Sequence, residues 1–320
     1  MKSIVIYYSQ SGNTRQIAQA LQRGIAQRTG QCDLARLKDI KPEEWVNYDL
    51  IGIGSPVWGS KPAPMVVDYV KSLPPAVKGK HAFFYCTHGT FPGRIIIRGV
   101  QPLQEKGLTV IGWKDWYCGC IPLGGHAKPW FTDGHPDAID IAEAESFGTV
   151  MAAHSRKIAD GATDIIPTLP SPEASDEFYG VDHPSVSAEM KVAKQPGKAP
   201  EPPPKMTLRI NAEKCTGCGR CAEACFSNNI DASVFPPVFG TKCYECSFCE
   251  RICPSGAIEI VMPNVPHSNP GSDLFRKTMP RILDIAEAKG RFRRLVREED
   301  MDWDTPWAKI AGHPIIKEIP

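Results

Sequence analysis

Residues 2–14 read Lys-Ser-Ile-Val-Ile-Tyr-Tyr-Ser-Gln-Ser-Gly-Asn-Thr. Lys2–Tyr8 is a short run rich in β-branched and aromatic residues, the pattern of a strand buried on both faces. It passes directly into Ser9-Gln10-Ser11-Gly12-Asn13-Thr14. A helix follows over Thr14–Arg28, with Ile17, Ala18, Leu21 and Ile25 on one face. Hydroxyls, a glycine and backbone N–H groups at a helix N-terminus form an anion cradle. The same residues also suit an ordinary polar helix cap. The loop has no Walker lysine and no G-x-G-x-x-G, which excludes a nucleoside triphosphate and a dinucleotide and leaves a phosphate monoester.

Downstream, buried-strand patterns recur at Asp49–Gly54, His81–Cys86 and Leu108–Cys118. Helical patterns occupy Ala63–Leu73, Arg94–Glu105 and Ala138–Ile158, the last with Pro136 ahead of it. Strand–helix alternation at this spacing builds βαβ units and a parallel sheet covered on both faces. The expected fold class is α/β, a doubly wound parallel sheet of five strands. Such sheets bind ligands beyond the carboxyl ends of their strands. Two more loops fall there: Ser55-Pro56-Val57-Trp58-Gly59-Ser60-Lys61-Pro62 and Thr87-His88-Gly89-Thr90-Phe91-Pro92-Gly93. A tryptophan among proline and glycine suits stacking on a flat ring, or else anchors the loop. Gly119–Pro136, with Trp130 and Phe131, is either a lid on this edge or a variable connection.

Residues 1–160 resemble flavodoxins. S-x-S-G-N-T is similar to the FMN phosphate loop, and Ser55–Ser60 to the loop whose aromatic covers the flavin. The resemblance implies that Ser9, Gln10, Ser11, Gly12, Asn13 and Thr14 hold phosphate. It implies that Ser55, Pro56, Val57, Trp58 and Gly59 flank one side of the ring, and Thr87, His88, Gly89 and Phe91 the other. Many flavodoxins place a tyrosine in that last loop, where this sequence offers His88 or Phe91. Gly59 stands where flavodoxins use a peptide flip beside the flavin.

The second landmark is a repeat. Cys215, Cys218, Cys221 and Cys225 are spaced C-x2-C-x2-C-x3-C, and Cys243, Cys246, Cys249 and Cys253 repeat the pattern 28 residues later. Ile230 recurs as Ile258 at the same offset. Three cysteines two apart curl around one corner of a cubane, and the fourth reaches a partner cluster. Cluster I would take Cys215, Cys218, Cys221 and Cys253; cluster II would take Cys243, Cys246, Cys249 and Cys225. Structural zinc is the alternative, although zinc sites favour paired C-x2-C units. The segment resembles bacterial-type 2[4Fe-4S] ferredoxins, small α+β domains. It departs from them at Phe226, where proline follows the fourth cysteine of the usual pattern, as Pro254 does in the second half.

The expected domains are 1–160, a proline-rich linker over 161–206, the two-cluster domain over 207–262 and a helical extension over 263–320. The linker reading rests on nine of the chain's 30 prolines lying within 161–205; a strap docked through Phe178 and Tyr179 reads equally well. A helix is expected over Ser272–Glu299, with Leu274, Phe275, Ile282, Ile285 and Leu295 inward. Arg291, Arg293, Arg294 and Arg297 read as a solvated helix face. Cys32, Cys86, Cys118 and Cys120 read as plain thiols.

Composition narrows the function. Of 320 residues, 37 are Lys or Arg and 36 are Asp or Glu, giving a formal charge of +1. That balance argues against a nucleic-acid partner held by bulk charge. No apolar run reaches the length of a membrane span, and the start lacks a signal-peptide ending. Twelve cysteines without an export signal point to a cytoplasmic protein with thiolate-bound metal. No acid–base set for organic chemistry stands out, so no catalytic residue is assigned.

Taken whole, the chain resembles EFR-type flavodoxin–ferredoxin fusion proteins of anaerobic bacteria and archaea. The resemblance implies FMN, two [4Fe-4S] clusters and low-potential electron transfer with a partner redox enzyme, as a monomer or homo-oligomer. The alternatives are a stand-alone flavin-dependent reductase of a small molecule such as a quinone, and a redox-sensing interaction module.

Overall fold

The computed structural model describes residues 1–120, 128–180, 207–261, 270–303 and 314–320, and of 270–276 the backbone alone. The chain divides into two compact units. The first comprises Met1–Ile121, Pro129–Ser187 and Thr278–Met301; the second comprises Pro122–Lys128, Ala188–Lys277 and Asp302–Pro320.

In the first unit, β1 (Ser3–Tyr7) is buried at every position, as its apolar run requires. It is followed by α1 (Asn13–Thr29), β2 (Asp33–Arg36), β3 (Leu50–Trp58), β4 (Lys61–Pro62) and α2 (Pro64–Lys71). Then come β5 (His81–His88), α3 (Ile95–Glu105), β6 (Thr109–Tyr117), α4 (Ala138–Ala159) and α5 (Pro172–Tyr179). The sheet order is β2-β1-β3-β5-β6, and all four pairings are parallel. The two-residue β4 folds back antiparallel on β3. Without β4 the order is 2-1-3-4-5, the flavodoxin-like doubly wound fold.

The core on the α1/α4 side packs Val5, Leu21, Phe83, Tyr85, Ile111, Trp116 and Met151. Two glycines let α1 and α4 approach closely. A Cβ on Gly24 would lie 1.9 Å from the Glu145 carbonyl oxygen, and one on Gly148 would lie 2.3 Å from that of Leu21.

Several elements differ from the sequence expectation. β2 was not foreseen, because Asp-Leu-Ala-Arg is a half-buried edge strand with no apolar run. β3 runs on to Trp58 and β5 to His88, so residues read as loop are strand ends. The segment expected as a linker begins as a strap. Ser171 caps α5 by accepting from the Ala174 N–H at 3.2 Å, Arg94 grips Asp176 with two bonds at 3.1 and 2.6 Å, and Tyr179 is buried. The remainder of that segment, 181–206, lies outside the described residues.

The second unit contains β7 (Thr207–Ile210), α6 (Arg220–Ala224), β8 (Ile230–Asp231), β9 (Val238–Phe239), α7 (Phe248–Ile252) and β10 (Ile258–Val261). β7 pairs with β10 and β8 with β9, both antiparallel. α6 and α7 are 28 residues apart, as are the starts of β8 and β10, so the repeat is structural as well as sequential. The apolar core is small, centred on Ile230, Ala257 and Ile258, with cysteines making up much of the rest. The final residues also pack here: Ile316 N–H donates to the Arg251 carbonyl at 2.9 Å, and the Arg220 guanidinium donates to the Lys317 carbonyl.

The last helix, α8 (Pro270–Ala288), is shorter than the expected Ser272–Glu299. It stops at Lys289-Gly290, where Gly290 has φ 66°. Ile282 is buried as expected, but Leu295 is 46% exposed; Leu274 and Phe275 lie where only the backbone is described.

Residues 278–301 form an arm on the first unit. Of the four arginines expected as a solvated face, Arg297 alone is solvated, its side chain 68% exposed beside Glu299 and Asp300. Arg293 bonds Asp137 at 2.8 and 2.7 Å, Arg294 bonds Asp284 and Glu287, and Arg291 stacks 4.3 Å from the Phe178 ring centroid. No helix among the described residues is long and apolar enough to cross a membrane.

Candidate cofactor sites

Three loops meet at the carboxyl edge of the parallel sheet. In the first, Ser9 Oγ accepts from the Gly12 N–H at 3.1 Å. The Gly12 carbonyl accepts from Gln16 N–H at 2.9 Å. No side chain caps α1, and its first turn carries no acid, so its N-terminus presents backbone donors and no negative charge. Asn13 Nδ2 donates to the Gly119 carbonyl at 2.6 Å. The Thr14 and Thr87 hydroxyls bond each other at 2.8 Å. Ser9, Asn13 and Thr14 therefore shape the cradle and tie it to the third loop and to β6's exit.

In the second loop, buried Ser55 accepts from Ala63 N–H at 2.9 Å and donates to the Pro56 carbonyl at 2.8 Å, fixing the turn after β3. Trp58 is half-buried, and its ring meets Tyr8 edge-on at 6.2 Å and 70°. Gly59 sits at φ +53° with nothing within 4 Å of a Cβ placed there. The second and third loops touch, since a Cβ on Gly93 would strike Ser60.

In the third loop, the Gly89 carbonyl accepts from Trp130 Nε1 at 3.0 Å and from Thr132 Oγ1 at 2.6 Å. The Gly119–Pro136 connection thus braces this loop through its second half; residues 121–127 lie outside the described residues. Phe91 is half-buried. His88 cannot stack as expected. Its side chain is 1% exposed and held by Asp115 at 3.0 Å, because position 88 ends a strand instead of opening a loop. Tyr8, Trp130, Asp115 and Tyr179 also frame this edge. The sequence reading assigned nothing to Tyr8 and Asp115, placed Trp130 in a lid or variable connection, and offered Tyr179 as the anchor of a docked strap.

The eight cysteines of the second unit fall into two sets. Cys215, Cys218, Cys221 and Cys253 line one cavity, together with Thr216, Gly219, Pro237 and Ser255. Burial raises the Cys221 thiol, with Cys218 and Cys253 adding to the rise. Burial likewise raises Cys246 and Cys249; for Cys249 the nearby Cys246 adds to the rise, and for both so do Cys225 and Cys243. The fourth cysteine of each half thus faces the other half's triplet.

Residues 4–99 match the family model of a flavodoxin domain, and residues 208–231 match that of a 4Fe-4S binding domain. The chain joins a flavodoxin-like domain to a 4Fe-4S ferredoxin domain. An uncharacterized protein of Methanocaldococcus jannaschii is 25% identical over 152 residues, which are 46% of this chain and 95% of that protein. Similar solved structures include a flavodoxin from the domain Archaea, at 22% identity over 49% of this chain and 99% of that one, with a TM-score of 0.40. Two-electron reduced Megasphaera elsdenii flavodoxin is 22% identical over 48% of this chain and 99% of its own, with a TM-score of 0.38.

A flavodoxin domain implies FMN, and the ferredoxin domain implies a 4Fe-4S cluster. The residues present fit both. The cradle of the flavodoxin domain is uncapped and without acids, as a phosphate requires. In the ferredoxin domain, tetrahedral zinc would draw four sulfurs to about 3.8 Å of one another. Among the described residues, no three cysteine sulfurs lie within 4.8 Å of each other, which does not fit a tetrahedral zinc site. The second half mirrors the first down to its sulfur contacts. Cys225 Sγ accepts from Asn229 N–H at 3.2 Å and meets Ser227 Oγ at 3.5 Å; Cys253 Sγ accepts from Ala257 N–H at 3.2 Å and meets Ser255 Oγ at 3.7 Å. Burial works against a thiolate at Cys253, but bonds from Ser255 and from backbone N–H groups outweigh it and lower its pKa. The Phe226 ring, standing where the usual pattern has proline, packs 6.0 Å from Tyr244.

Proposed function

We propose that the protein is an electron conduit. FMN on the flavodoxin domain and two [4Fe-4S] clusters on the ferredoxin domain exchange low-potential electrons, and a partner redox enzyme supplies or takes them. The observation that carries this reading is the sorting of eight cysteines into two crossed sets of four, on a chain whose other unit has the flavodoxin strand order and an open phosphate cradle.

When bound, FMN accepts electrons in pairs and releases them singly, while each cluster carries one. The chain's own residues do the holding. Ser11, Gly12 and the first-turn N–H groups of α1 take the phosphate, Trp58 and Phe91 flank the ring, and Cys215, Cys218, Cys221 and Cys253 bind one cluster. Cys243, Cys246, Cys249 and Cys225 bind the other. Having both carriers in one polypeptide keeps their effective concentration high without any encounter step.

Anaerobic purification tests the reading. One FMN and about eight iron atoms per chain are expected, with full reduction taking up about four electrons. Flavin without iron, iron without flavin, or steady turnover of a quinone by the protein alone would each overturn it.

A further inference from the structure

The 28-residue repeat matches each position of the first cysteine half with one of the second, so each half is a control for the other. Formal charge does not separate them. Residues 213–225 carry Glu213, Lys214, Arg220 and Glu223, and residues 241–253 carry Lys242, Glu245, Glu250 and Arg251, two of each sign in both. Exposure of the cysteines does not separate the two crossed sets either. Each has one exposed member, Cys218 or Cys243, and one buried member, Cys253 or Cys249, with the other two half-buried. The equivalent sulfurs of Cys225 and Cys253 accept matching N–H bonds, both at 3.2 Å.

Aromatic rings do separate the sets. Phe226, Tyr244 and Phe248 directly adjoin Cys225, Cys243 and Cys249 in the chain, and all three of those cysteines fall in one crossed set. At the equivalent positions the other set has Pro254, Thr216 and Arg220. Phe226 and Tyr244 are half-buried and pack on each other, ring centroids 6.0 Å apart at 66°. They thus join the two chain segments that supply Cys225 and Cys243. Phe248 is 5% exposed. Thr216, by contrast, is exposed, and the Arg220 guanidinium donates to the Lys317 carbonyl. The cavity beside Cys215 does have Pro237 in its wall, but Thr216, Arg220 and Ser255 line it too. Phe235, near Gly217, is 65% exposed.

Reduction adds one negative charge to a cluster already bound by thiolates, and apolar surroundings disfavour that added charge. One contact works the other way: Glu245 N–H donates to Cys243 Sγ at 3.3 Å, and a bond to sulfur eases reduction. It reaches a single ligand, whereas rings adjoin three. We propose that Phe226, Tyr244 and Phe248 make the cluster held by Cys225, Cys243, Cys246 and Cys249 the harder of the two to reduce. The ferredoxin domain then has a direction. An electron supplied by the partner redox enzyme comes to rest on the side of Cys215, Cys218, Cys221 and Cys253. Passage between the sides oxidises one cluster by one electron and reduces the other by one, with no proton moved. This rests on the two-cluster reading of the crossed cysteine sets. Its signature is a potential and the location of an electron, not a rate.

The test is proton NMR of the intact wild-type holoprotein during stepwise anaerobic reduction, following the cluster-shifted signals of the cysteine β-protons. Midway through cluster reduction, the signals of Cys215, Cys218, Cys221 and Cys253 should stand closer to their fully reduced positions than those of the other set. A redox titration of Tyr244→Thr and Phe226→Pro, each replacing a ring by the residue at its equivalent position, gives a second measurement. Both variants should bring the two cluster potentials together by raising the lower one. Thr216→Tyr, at an exposed position, should bring them together by lowering the upper one. Equal progress of the two cysteine sets, earlier movement of the Cys225 set, or variants that leave the potentials where they were would overturn the proposal with both clusters still bound. A wild-type protein with only about four iron atoms per chain would instead overturn the two-cluster reading beneath it.

Discussion

Cys225 and Cys253 stand 28 residues apart and are structural equivalents. Each ends a five-residue helix in the same backbone conformation, φ −69° and ψ 115° against φ −65° and ψ 115°. Each sulfur accepts an N–H from the residue four positions on, both at 3.2 Å. Since each faces the opposite triplet, paired substitutions should reveal the crossing. Cys253→Ala combined with Cys218→Ala strikes one cluster, so iron should fall from about eight to about four per chain. Cys253→Ala combined with Cys246→Ala strikes both, and iron should fall close to zero. Equal iron in the two double variants would rule out crossed ligation.

The two halves differ in how they make the same turns. Gly217 and Gly219 sit at φ 68° and 71°, and their counterparts Glu245 and Ser247 at φ 54° and 56°. A side chain in this left-handed region costs about 1–2 kcal/mol. Gly217→Ala should therefore destabilise the holoprotein by about that amount, although the added Cβ has ordinary contacts with Phe235 at 3.5 Å and more. Glu245→Gly should give a net gain of up to about 1 kcal/mol after glycine's unfolded-state entropy is counted. Denaturant midpoints of the two variants should move in opposite directions; movement in the same direction would remove the strain argument.

What could be read from the sequence follows from where the information lies. β1, α1 and the cysteine repeat are local patterns, and the structure places each within a residue or two of its expected bounds. β2 escaped because an edge strand needs no apolar run. α5 and the arm escaped because long-range bonds seat them: Arg94 to Asp176 and Arg293 to Asp137 join positions 82 and 156 residues apart. The same holds within the candidate site. Trp58 advertises itself by its proline–glycine setting, whereas the burial of His88 depends on β6 supplying Asp115 from 27 residues away.

The α1–α4 contact offers a stringent packing test. Gly148→Ala would drive a Cβ to 2.3 Å from the Leu21 carbonyl oxygen, a backbone atom that cannot swing aside. Alanine normally favours a helix by about 1 kcal/mol over glycine, so propensity and packing pull in opposite directions. Overpacking a tight contact costs about 1–3 kcal/mol and at times more, and a forced helix separation belongs at the upper end. Urea unfolding should show a net loss of about 2 kcal/mol, and a stabilised variant would mean that the helices part freely.

His135 makes the seating of the arm sensitive to pH. Its side chain is 2% exposed. Nδ1 lies 2.6 Å from the Asp140 carboxylate and Nε2 lies 2.8 Å from the Arg293 carbonyl. Both partners are acceptors, so both nitrogens must donate and the ring is doubly protonated. Burial pulls its pKa down, but the bonds to Asp140 and Arg293 outweigh it, and the folded-state value is raised. The stability this contributes is complete below the unfolded pKa of about 6.5 and is lost as pH rises through the folded value. Asp137, which also grips Arg293, works at the other end. The bond from Arg293 holds its carboxyl far below the usual range, so its contribution is present above about pH 4 and fades on acidification. The arm should therefore be tightest between about pH 4 and 6.5. Amide exchange at residues 291–294 should quicken above that window in wild type beyond its intrinsic pH dependence. In His135→Gln that extra increase should vanish, because a neutral amide does not titrate and offers the same donors at every pH. If the two proteins show the same pH profile, the doubly protonated ring is not what holds the arm.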